Sequence, residues 1–470
     1  MYRCSILVKL FVVTLTINVF VCAKTKYQLH DRTVWAAGRP ARFSMKRHKE
    51  VPLVTWSEEA VAVLTHHWET VQHGATCERV LWMKTFFYGL TSQIRDWLDF
   101  AIVSVFTHNR TIIEIYRNEW YESWCPDGNW LTCFFEPFHG TQCNGYRPGE
   151  DVKEVLSITE FGGKTRHITT VTHAQYIRNT LTFHNEFPNV MWDKLVAANL
   201  IIYRNSDTMD PMDHAATQEL KRNNALLYYT VSLSALKSMI VKHVLVPKKY
   251  IRRKATELTQ YIKKSKPVIA VHMRRTDQHA DNGVNNHIKF TDGFVTKAIH
   301  MLCKQHFFVF RLDASKGRSD CLDRLRSGIT VLALSDDATA IMDLKRHLGP
   351  KFSVHTLSNV STLLHTDPER DQYNELGHRV DFFRVSSPRA HNYHASVFVD
   401  VVAASQADML IGSGSSGVSQ FIAQIIGARN RVDGNALTLW QEDLEASPLH
   451  SKARTGIDWL WLGVSVWRWW

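Results

Sequence analysis

From residue 267 onward, short apolar runs alternate with amphipathic, helix-like stretches. The predicted strands are PVIAVHM (267–273), ITVLALS (329–335), FSVHT (352–356) and DMLIG (408–412). The predicted helices lie near 292–304, from about 338 to 347, near 396–407 and over about 417–426. Strands that alternate with helices are typical of a parallel, doubly wound sheet. The pattern therefore predicts an α/β class, with a Rossmann-like domain over 261–430.

The first half of the chain has a less regular pattern, which we interpret as a second α/β domain over 55–260. A helix is predicted to begin at Thr55 or Ser57, and apolar positions recur at helical spacing from Ile94. The run TIIEIY, 111–116, is a predicted strand, and helical patterns follow over about 217–245 and 250–264.

The two ends of the chain differ from these domains. Residues 1–23 have a basic start and an apolar run, which is typical of a signal peptide or a signal anchor, so membrane anchoring through 5–23 stays open. Either form directs the chain to the secretory pathway. Residues 24–54 are interpreted as a short stem and 431–470 as a Trp-rich tail.

Length and charge narrow the function classes. The chain has 470 residues, more than the roughly 250–300 that one hydrophobic core supports, so two domains are expected. The net charge of +11 favours a phosphate-bearing or acidic ligand. A nucleic-acid partner is disfavoured, because the basic residues form no concentrated tract and the chain enters the secretory pathway.

Cysteine usage agrees with an oxidising compartment. Six cysteines remain outside the amino-terminal segment, and an even number in such a protein predicts disulfides. Cys125, Cys133 and Cys143 are close in a turn-rich stretch, so we expect at least one local bridge there, and Cys303 is expected to pair with Cys321. Two glycosylation sequons, at Asn109 and Asn359, also suit a glycoprotein.

Polar residues follow three of the predicted strands. The first strand leads into His272, Arg274, Arg275 and Asp277, and paired arginines suit bidentate binding of phosphate. An alternative interpretation is a surface salt-bridge cluster. Because ligands of such sheets bind at the carboxyl ends of the strands, these residues are candidate site residues.

The second strand leads into Asp336 and Asp337, which could cap the following helix or contact a sugar hydroxyl. The third leads into IGSGSSG, 411–417, where Ser415 and Ser416 precede a helix, an arrangement that suits an anion.

Asp400 stands alone in the apolar helix VFVDVVAASQAD. A lone acid among valines is costly unless it is paired, so it is predicted to accept a hydrogen bond, from a purine edge or from the protein itself. The chain contains no Asp-x-Asp, so a metal-bridged diphosphate has no obvious ligand pair. The arginines would then neutralise a nucleoside diphosphate, and we expect no metal.

Three blocks, VIAVHMRRTD, LSDD and VFVDVVAASQADMLIGSGSSG, together resemble the signature blocks of the α1,6-fucosyltransferases that modify the N-glycan core. The likeness covers about 261–427 and extends faintly to YGLTSQIRDWLDFAIVSVFTHNR, 88–110. It implies a two-domain glycosyltransferase of the GT-B type that binds GDP-fucose between its domains. It also implies a Golgi location and a metal-independent, inverting transfer to the innermost GlcNAc.

The resemblance assigns roles residue by residue. Arg274 and Arg275 would hold the diphosphate of GDP-fucose, with Arg274 the critical one. His272 and Asp400 would contact the guanine. The remaining assignments place two residues beside the phosphates, Ser416 and Gly89, and three in the catalytic cluster, Asp277, Asp336 and Asp337.

The loop after Asp277 differs from the family's sequence at two positions. Gln278 stands where the family has Lys, and Asn282 stands where it has the Glu proposed as the general base. Asp281 is the nearest carboxylate and is our predicted base. Two alternatives stay open: a protein O-fucosyltransferase, and a non-catalytic glycan- or nucleotide-binding protein.

Overall fold

The computed structural model describes about half of the chain. The described residues are 52–73, 79–84, 91, 94, 97–98, 101–102, 105–106, 111–116, 125, 133–136, 154–159, 163–164, 168–172, 191–205, 210–223, 225–262, 267–273, 328–335, 338–348, 352–357, 388–412 and 416–440. All of them belong to one compact unit, Glu50–Trp470.

These residues form two five-stranded sheets, one two-stranded sheet and the helices around them. The strands are β1 Leu53–Trp56, β2 Arg79–Lys84, β3 Thr111–Tyr116, β4 Glu154–Thr159, β5 Gly163–Lys164, β6 Ile168–Thr172, β7 Ile201–Arg204, β8 Val268–Met273, β9 Thr330–Ser335, β10 Ser353–Thr356, β11 Met409–Gly412 and β12 Thr438–Trp440. The α-helices are α1 Glu58–His73, α2 Asp193–Ala197, α3 His214–Asn223, α4 Ala225–Val244, α5 Lys249–Thr259, α6 Ala338–Leu348, α7 Pro388–Ala404 and α8 Gly417–Asn430, and Gly434–Leu437 is a 3₁₀ helix.

The carboxyl-terminal sheet has the strand order β10-β9-β8-β11-β12, and every neighbouring pair is parallel. Every residue of β8 and β9 is buried, as expected for parallel strands covered on both faces. Numbered along the chain from β8, the order is 3-2-1-4-5, the order of a Rossmann-like, doubly wound sheet. The α/β class predicted from the sequence is confirmed.

This sheet extends past residue 430, where the sequence analysis placed the start of the tail. The 3₁₀ helix and β12 follow α8 directly, and all three residues of β12 are buried. A strand of three residues is too short to show a periodicity, so no pattern predicts it. Among the described residues, the Rossmann-like sheet therefore ends at Trp440 and not at 430.

The amino-terminal sheet has the order β3-β2-β4-β6-β5, parallel except for the antiparallel pair of β5 and β6. Strand β3 is the one predicted from TIIEIY. The described positions within 91–106 are helical. Of the apolar ones predicted from Ile94, Phe106 is half-buried and the others are buried: Ile94, Trp97, Leu98, Ala101, Ile102 and Val105. The predicted amphipathic helix is confirmed at these positions.

Strand β1 joins the start of the described chain to the region after α8. It pairs with β7, and the Val54 carbonyl accepts a hydrogen bond from the Asp433 amide at 3.0 Å. Helix α1 begins at Glu58, and the Ala60 amide donates to the Ser57 hydroxyl at 3.1 Å. Ser57 thus caps α1, one of the two starts predicted, and β1 begins at Leu53, within the predicted stem.

Helix α4 holds the turn after α8 in place. Ser234 donates its hydroxyl to the Asp433 carboxylate at 2.7 Å, and the Gly434 amide donates to the Ser238 hydroxyl at 3.3 Å. Because residues 231–241 of α4 are buried, apart from the half-buried Ser234, these contacts fix the carboxyl end of α8 against the rest of the unit.

A disulfide-bonded segment packs against α7 and α8. Cys125 is bonded to Cys133, which confirms the predicted local bridge. The next two residues, Phe134 and Phe135, lie 4.8 and 5.2 Å from the Phe398 ring of α7, and Phe135 also lies 6.3 Å from Phe421 of α8. This aromatic cluster supports the two helices that carry Asp400 and Ser416.

We expect Phe134→Ala to lower the free energy of unfolding by about 3–5 kcal/mol, because a fully buried ring would be replaced by a cavity. Urea unfolding followed by fluorescence measures the change. Met342, which is 57% exposed, provides the control, since Met342→Ala should change stability by less than about 0.5 kcal/mol. Equal effects of the two substitutions would contradict the packing described here.

Several sequence predictions fall outside the described residues. They are the signal segment 1–23, the helix near 292–304, the pairing of Cys303 with Cys321, the two sequons and the Trp-rich residues beyond 440. In the described part of the chain, no helix has the length and apolar character needed to cross a membrane.

Candidate active site

The strand order places the candidate site between β8 and β11. The chain proceeds from β8 through β9 to β10 on one side, and then returns to β11 on the other side of β8. In doubly wound sheets, ligands bind at the carboxyl edge where the strand order reverses in this way. The segments after Met273 and after Gly412 start at that edge from neighbouring strands.

His272 lies at the end of β8, and its side chain contacts α8. Its Nδ1 atom is 2.7 Å from the hydroxyl oxygen of Ser419, a residue 147 positions away in the sequence. The His272 residue is 8% exposed and Ser419 is fully buried. This hydrogen bond joins the end of β8 to the first turn of the helix that follows β11.

Gly412 ends β11 and lies very close to the same serine. A Cβ atom at this position would lie 2.6 Å from the Ser419 hydroxyl oxygen and 2.9 Å from its Cβ, closer than real Cβ atoms approach other atoms. The position therefore accommodates glycine alone as long as Ser419 keeps its rotamer. The end of β11 and the first turn of α8 are packed in direct contact.

Ser416 is the residue before α8 and has the extended backbone of an N-cap. Its side chain makes no capping hydrogen bond, although the residue is almost fully buried. An N-cap serine ordinarily bonds one of the first amides of its helix. Here the Ser416 hydroxyl makes no such bond and lies at the positive end of a 14-residue helix, an arrangement that suits an anion.

Asp400 is a buried acid in α7. It is 5% exposed, and among the described residues no hydrogen bond to its carboxyl is found. Burial raises the pKa of this carboxyl well above its ordinary value. Removal of an unpaired carboxylate from water is costly, so a ligand that donates hydrogen bonds would be favoured here.

Asp433 shows the contrasting case of a buried acid with partners. Its carboxylate accepts hydrogen bonds from the Ser234 hydroxyl at 2.7 Å and from the Asn435 amide at 3.1 Å. Burial, the largest effect, raises its pKa to about 6. Asp433 is thus fixed in the fold, whereas the described structure provides no such partner for Asp400.

The Ser-Gln-Ala-Asp sequence before β11 lies at the opposite edge of the sheet. The Val268 amide, at the start of β8, donates to the Asp408 carboxylate at 2.9 Å, and the Asp408 amide donates to the Val268 carbonyl at 2.8 Å. Arg429 donates to the Ser405 carbonyl at 2.8 Å and also to the Ala407 carbonyl. The Ser-Gln-Ala-Asp part of the third sequence block therefore aligns β8 with β11 and does not reach the carboxyl edge of the sheet.

Of the predicted site residues, His272, Asp400 and Ser416 are described, and all three are buried. His272 and Ser416 lie at the carboxyl edge and Asp400 lies in α7. Eight predicted site residues lie outside the described residues: Gly89, Arg274, Arg275, Asp277, Asp281, Asp336, Asp337 and Ser415. Ser419 was not predicted, and its position in the first turn after a Gly/Ser loop was the one available signal.

No group of three or more His, Cys, Asp or Glu side chains able to hold a metal ion occurs within the ranges given above.

Comparison with known proteins finds similarity only at the level of solved structures. No protein-family model matches the chain, and no curated protein matches it. A mutant of Arabidopsis thaliana FUT1 in complex with GDP is 11% identical, with a TM-score of 0.38, over 79% of this chain and 78% of that one. The fucosyltransferase NodZ from Bradyrhizobium is 12% identical, with a TM-score of 0.30, over 73% and 92%. POFUT1 in complex with GDP is 11% identical, with a TM-score of 0.30, over 77% and 99%.

Proposed function

We propose that this protein is a glycosyltransferase that moves L-fucose from GDP-β-L-fucose to the innermost GlcNAc of N-glycans through an α1,6 linkage. One observation carries the proposal. The segment that begins Arg274-Arg275 and the Gly/Ser segment before α8 start from neighbouring parallel strands, at the edge where the strand order reverses. Each of the three sequence blocks that resemble the core fucosyltransferases contains all or part of a strand of this sheet: β8, the end of β9, and β11.

The nucleobase is assigned to Asp400 and His272. A guanine edge carries two adjacent N–H donors, and a carboxylate offers two acceptor oxygens in matching geometry. Asp400 is buried and lacks a hydrogen-bond partner in the described part of the chain, so guanine would supply the bonds that it needs.

The diphosphate is assigned to Arg274, Arg275, Ser415 and Ser416, with backbone amides of Gly89. Arginine binds phosphate oxygens in a bidentate manner, and the amino-terminal end of α8 adds the positive end of a helix dipole. We propose that these groups stabilise the departing GDP and that no metal ion is needed.

The reaction is proposed to proceed with inversion. The acceptor hydroxyl oxygen bonds to the anomeric carbon of fucose as the bond from that carbon to the β-phosphate oxygen breaks, and GDP leaves with the electron pair. Asp281 accepts the hydroxyl proton as general base. Asp277, Asp336 and Asp337 complete the proposed catalytic cluster.

A non-catalytic nucleotide- or glycan-binding protein is the second candidate, and Asn282 is the observation that favours it. This residue stands where the family places its base. A protein O-fucosyltransferase would share the donor site and differ in the acceptor alone. In all three cases we propose a secretory, Golgi location, through the amino-terminal segment.

A transfer assay separates the candidates. The purified protein is incubated with GDP-fucose and EDTA, and is offered a GlcNAc-terminated biantennary N-glycopeptide or a folded, unglycosylated protein domain. We expect mass spectrometry to detect one added deoxyhexose on the glycan core. Addition to the protein domain instead would indicate O-fucosylation, and GDP binding without transfer to either acceptor would indicate a binding protein.

A further inference from the structure

Phe135 contacts both of the helices that carry Asp400 and Ser416. Its ring centroid lies 5.2 Å from that of Phe398 in α7 and 6.3 Å from that of Phe421 in α8, and both pairs have edge-to-face geometry. None of the three rings belongs to a residue that is more than 2% exposed. Protein interiors are close-packed, so the size of the Phe135 ring determines how closely α7 and α8 approach at this point.

The backbone on either side of Phe135 is held by the link between α4 and α5. The Lys248 amide donates a hydrogen bond to the Phe134 carbonyl at 2.8 Å. The Glu136 amide donates to the Val246 carbonyl at 2.7 Å. The disulfide described above closes the same segment one residue before Phe134. The Phe135 ring is therefore anchored outside α7 and α8, and it acts on both helices from a fixed position.

The two site residues lie a short distance along their helices from these contacts. Asp400 follows Phe398 by two residues, about 3 Å along the axis of α7 and on a nearly opposite face. Ser416 precedes Phe421 by five residues, roughly 7 Å along the axis of α8. Because a helix moves largely as a rigid rod, a change in helix spacing at Phe135 changes the distance between Asp400 and Ser416.

This distance matters for a ligand that reaches both residues. The base and the diphosphate of a nucleotide are covalently joined, so once one end is bound the other end is present at a high effective concentration. That advantage is lost when the spacing of the two subsites does not match the ligand. The affinity for each separate part does not depend on the spacing.

We propose that Phe135 is a positioning residue that fixes the spacing of α7 and α8, so that the base subsite at Asp400 and the phosphate subsite at Ser416 match the length of one nucleoside diphosphate. The ligand part of this proposal rests on the proposed function. The packing part depends only on the contacts of Phe135 with the two helices.

The test compares Phe135→Ala with Phe134→Ala, the matched control. Both substitutions remove a buried ring from the same segment, but the Phe134 ring packs on α7, with its centroid 4.8 Å from Phe398 and 5.6 Å from His391. Phe135→Leu is a milder variant that keeps an apolar side chain if the alanine variant does not fold. Circular dichroism shows that each variant is folded at the temperature of the measurements.

We expect Phe135→Ala to bind GDP about 10-fold more weakly, while its affinities for guanosine and for pyrophosphate stay within about twofold of the wild type. Phe135→Leu should show a smaller change in the same direction, and Phe134→Ala should keep all three affinities. Calorimetry measures GDP, and ligand-observed NMR measures the two parts. A merely structural role would not weaken GDP binding selectively in a folded variant. An unchanged GDP affinity in Phe135→Ala, or equal losses in the two alanine variants, overturns the proposal.

Hydrogen exchange of the protein without nucleotide tests the packing part by itself. Amides of both α7 and α8 should exchange faster in Phe135→Ala, and those of α7 alone in Phe134→Ala. Unchanged exchange of α8 in Phe135→Ala overturns the packing part. If the wild type binds no GDP, the proposed function fails, and the exchange comparison still decides whether Phe135 sets the spacing of the helices.

Discussion

The Arg274→Ala variant is expected to lose about 100- to 1,000-fold of its rate of transfer from GDP-fucose, because one positive group at the departing diphosphate would be removed. Arg274 follows Met273, the last residue of β8, and β8 is buried throughout its length. A residue that directly follows such a strand lies at the edge to which doubly wound sheets bind phosphates.

The matched control is Arg253→Ala. Arg253 is 72% exposed on α5 and pairs with Glu257 at 3.8 Å, so its removal should leave the transfer rate unchanged. Initial rates are measured at saturating acceptor with varied GDP-fucose. Transfer by Arg274→Ala at the wild-type rate would show that another group neutralises the diphosphate.

The Asp400→Asn variant is expected to bind GDP about 100-fold more weakly while it gains stability. The amide keeps the shape of the carboxyl, yet it offers one acceptor in place of two and sets an N–H against the guanine donors, which removes a charge-assisted pair of hydrogen bonds. In the protein without nucleotide, the same change removes a buried acid that has no hydrogen-bond partner among the described residues.

The stability gain should depend on pH. Burial raises the pKa of Asp400 in the folded state, so above about pH 4 the unfolded chain loses a proton that the folded protein still holds. The free energy of unfolding of the wild type therefore falls as the pH rises through this range, and Asp400→Asn lacks this contribution. Urea unfolding at several pH values should show the variant's advantage growing from about pH 4 upward.

Asp433→Asn is the control for a buried carboxyl. It alters a hydrogen-bonded acid that caps the 3₁₀ helix, so stability should change while GDP affinity stays at the wild-type value. A wild-type GDP affinity in Asp400→Asn would exclude Asp400 from the nucleotide site.

The sequence predicted the carboxyl-terminal sheet well because its strands are continuous buried runs. Strands β8 and β9 begin one residue after their predicted starts, and both end where they were predicted to end. Strands β2, β4 and β6 were not predicted, since each mixes apolar with polar or charged residues over only five or six positions. Strand β12 is too short for any pattern.

The sequence predicted individual residues of the candidate site but not the contacts between residues that are distant in the sequence. Asp400 is predictable because it is a lone acid among valines, and its burial follows from that environment. The contact between His272 and Ser419 depends on the pairing of β8 with β11, which no local pattern encodes. Asp408 belongs to the third of the sequence blocks that resemble the family. The same strand pairing places it at the opposite edge of the sheet, where it contacts the start of β8.

Calorimetric titration of GDP into the wild-type protein, with EDTA present and ADP in a parallel experiment, measures whether the edge between β8 and β11 binds a guanosine diphosphate without a metal ion. We expect GDP to bind at one site and ADP to bind at least about 10-fold more weakly, as for the loss of one or more hydrogen bonds. Absence of GDP binding, or equal affinity for the two nucleotides, would contradict the account.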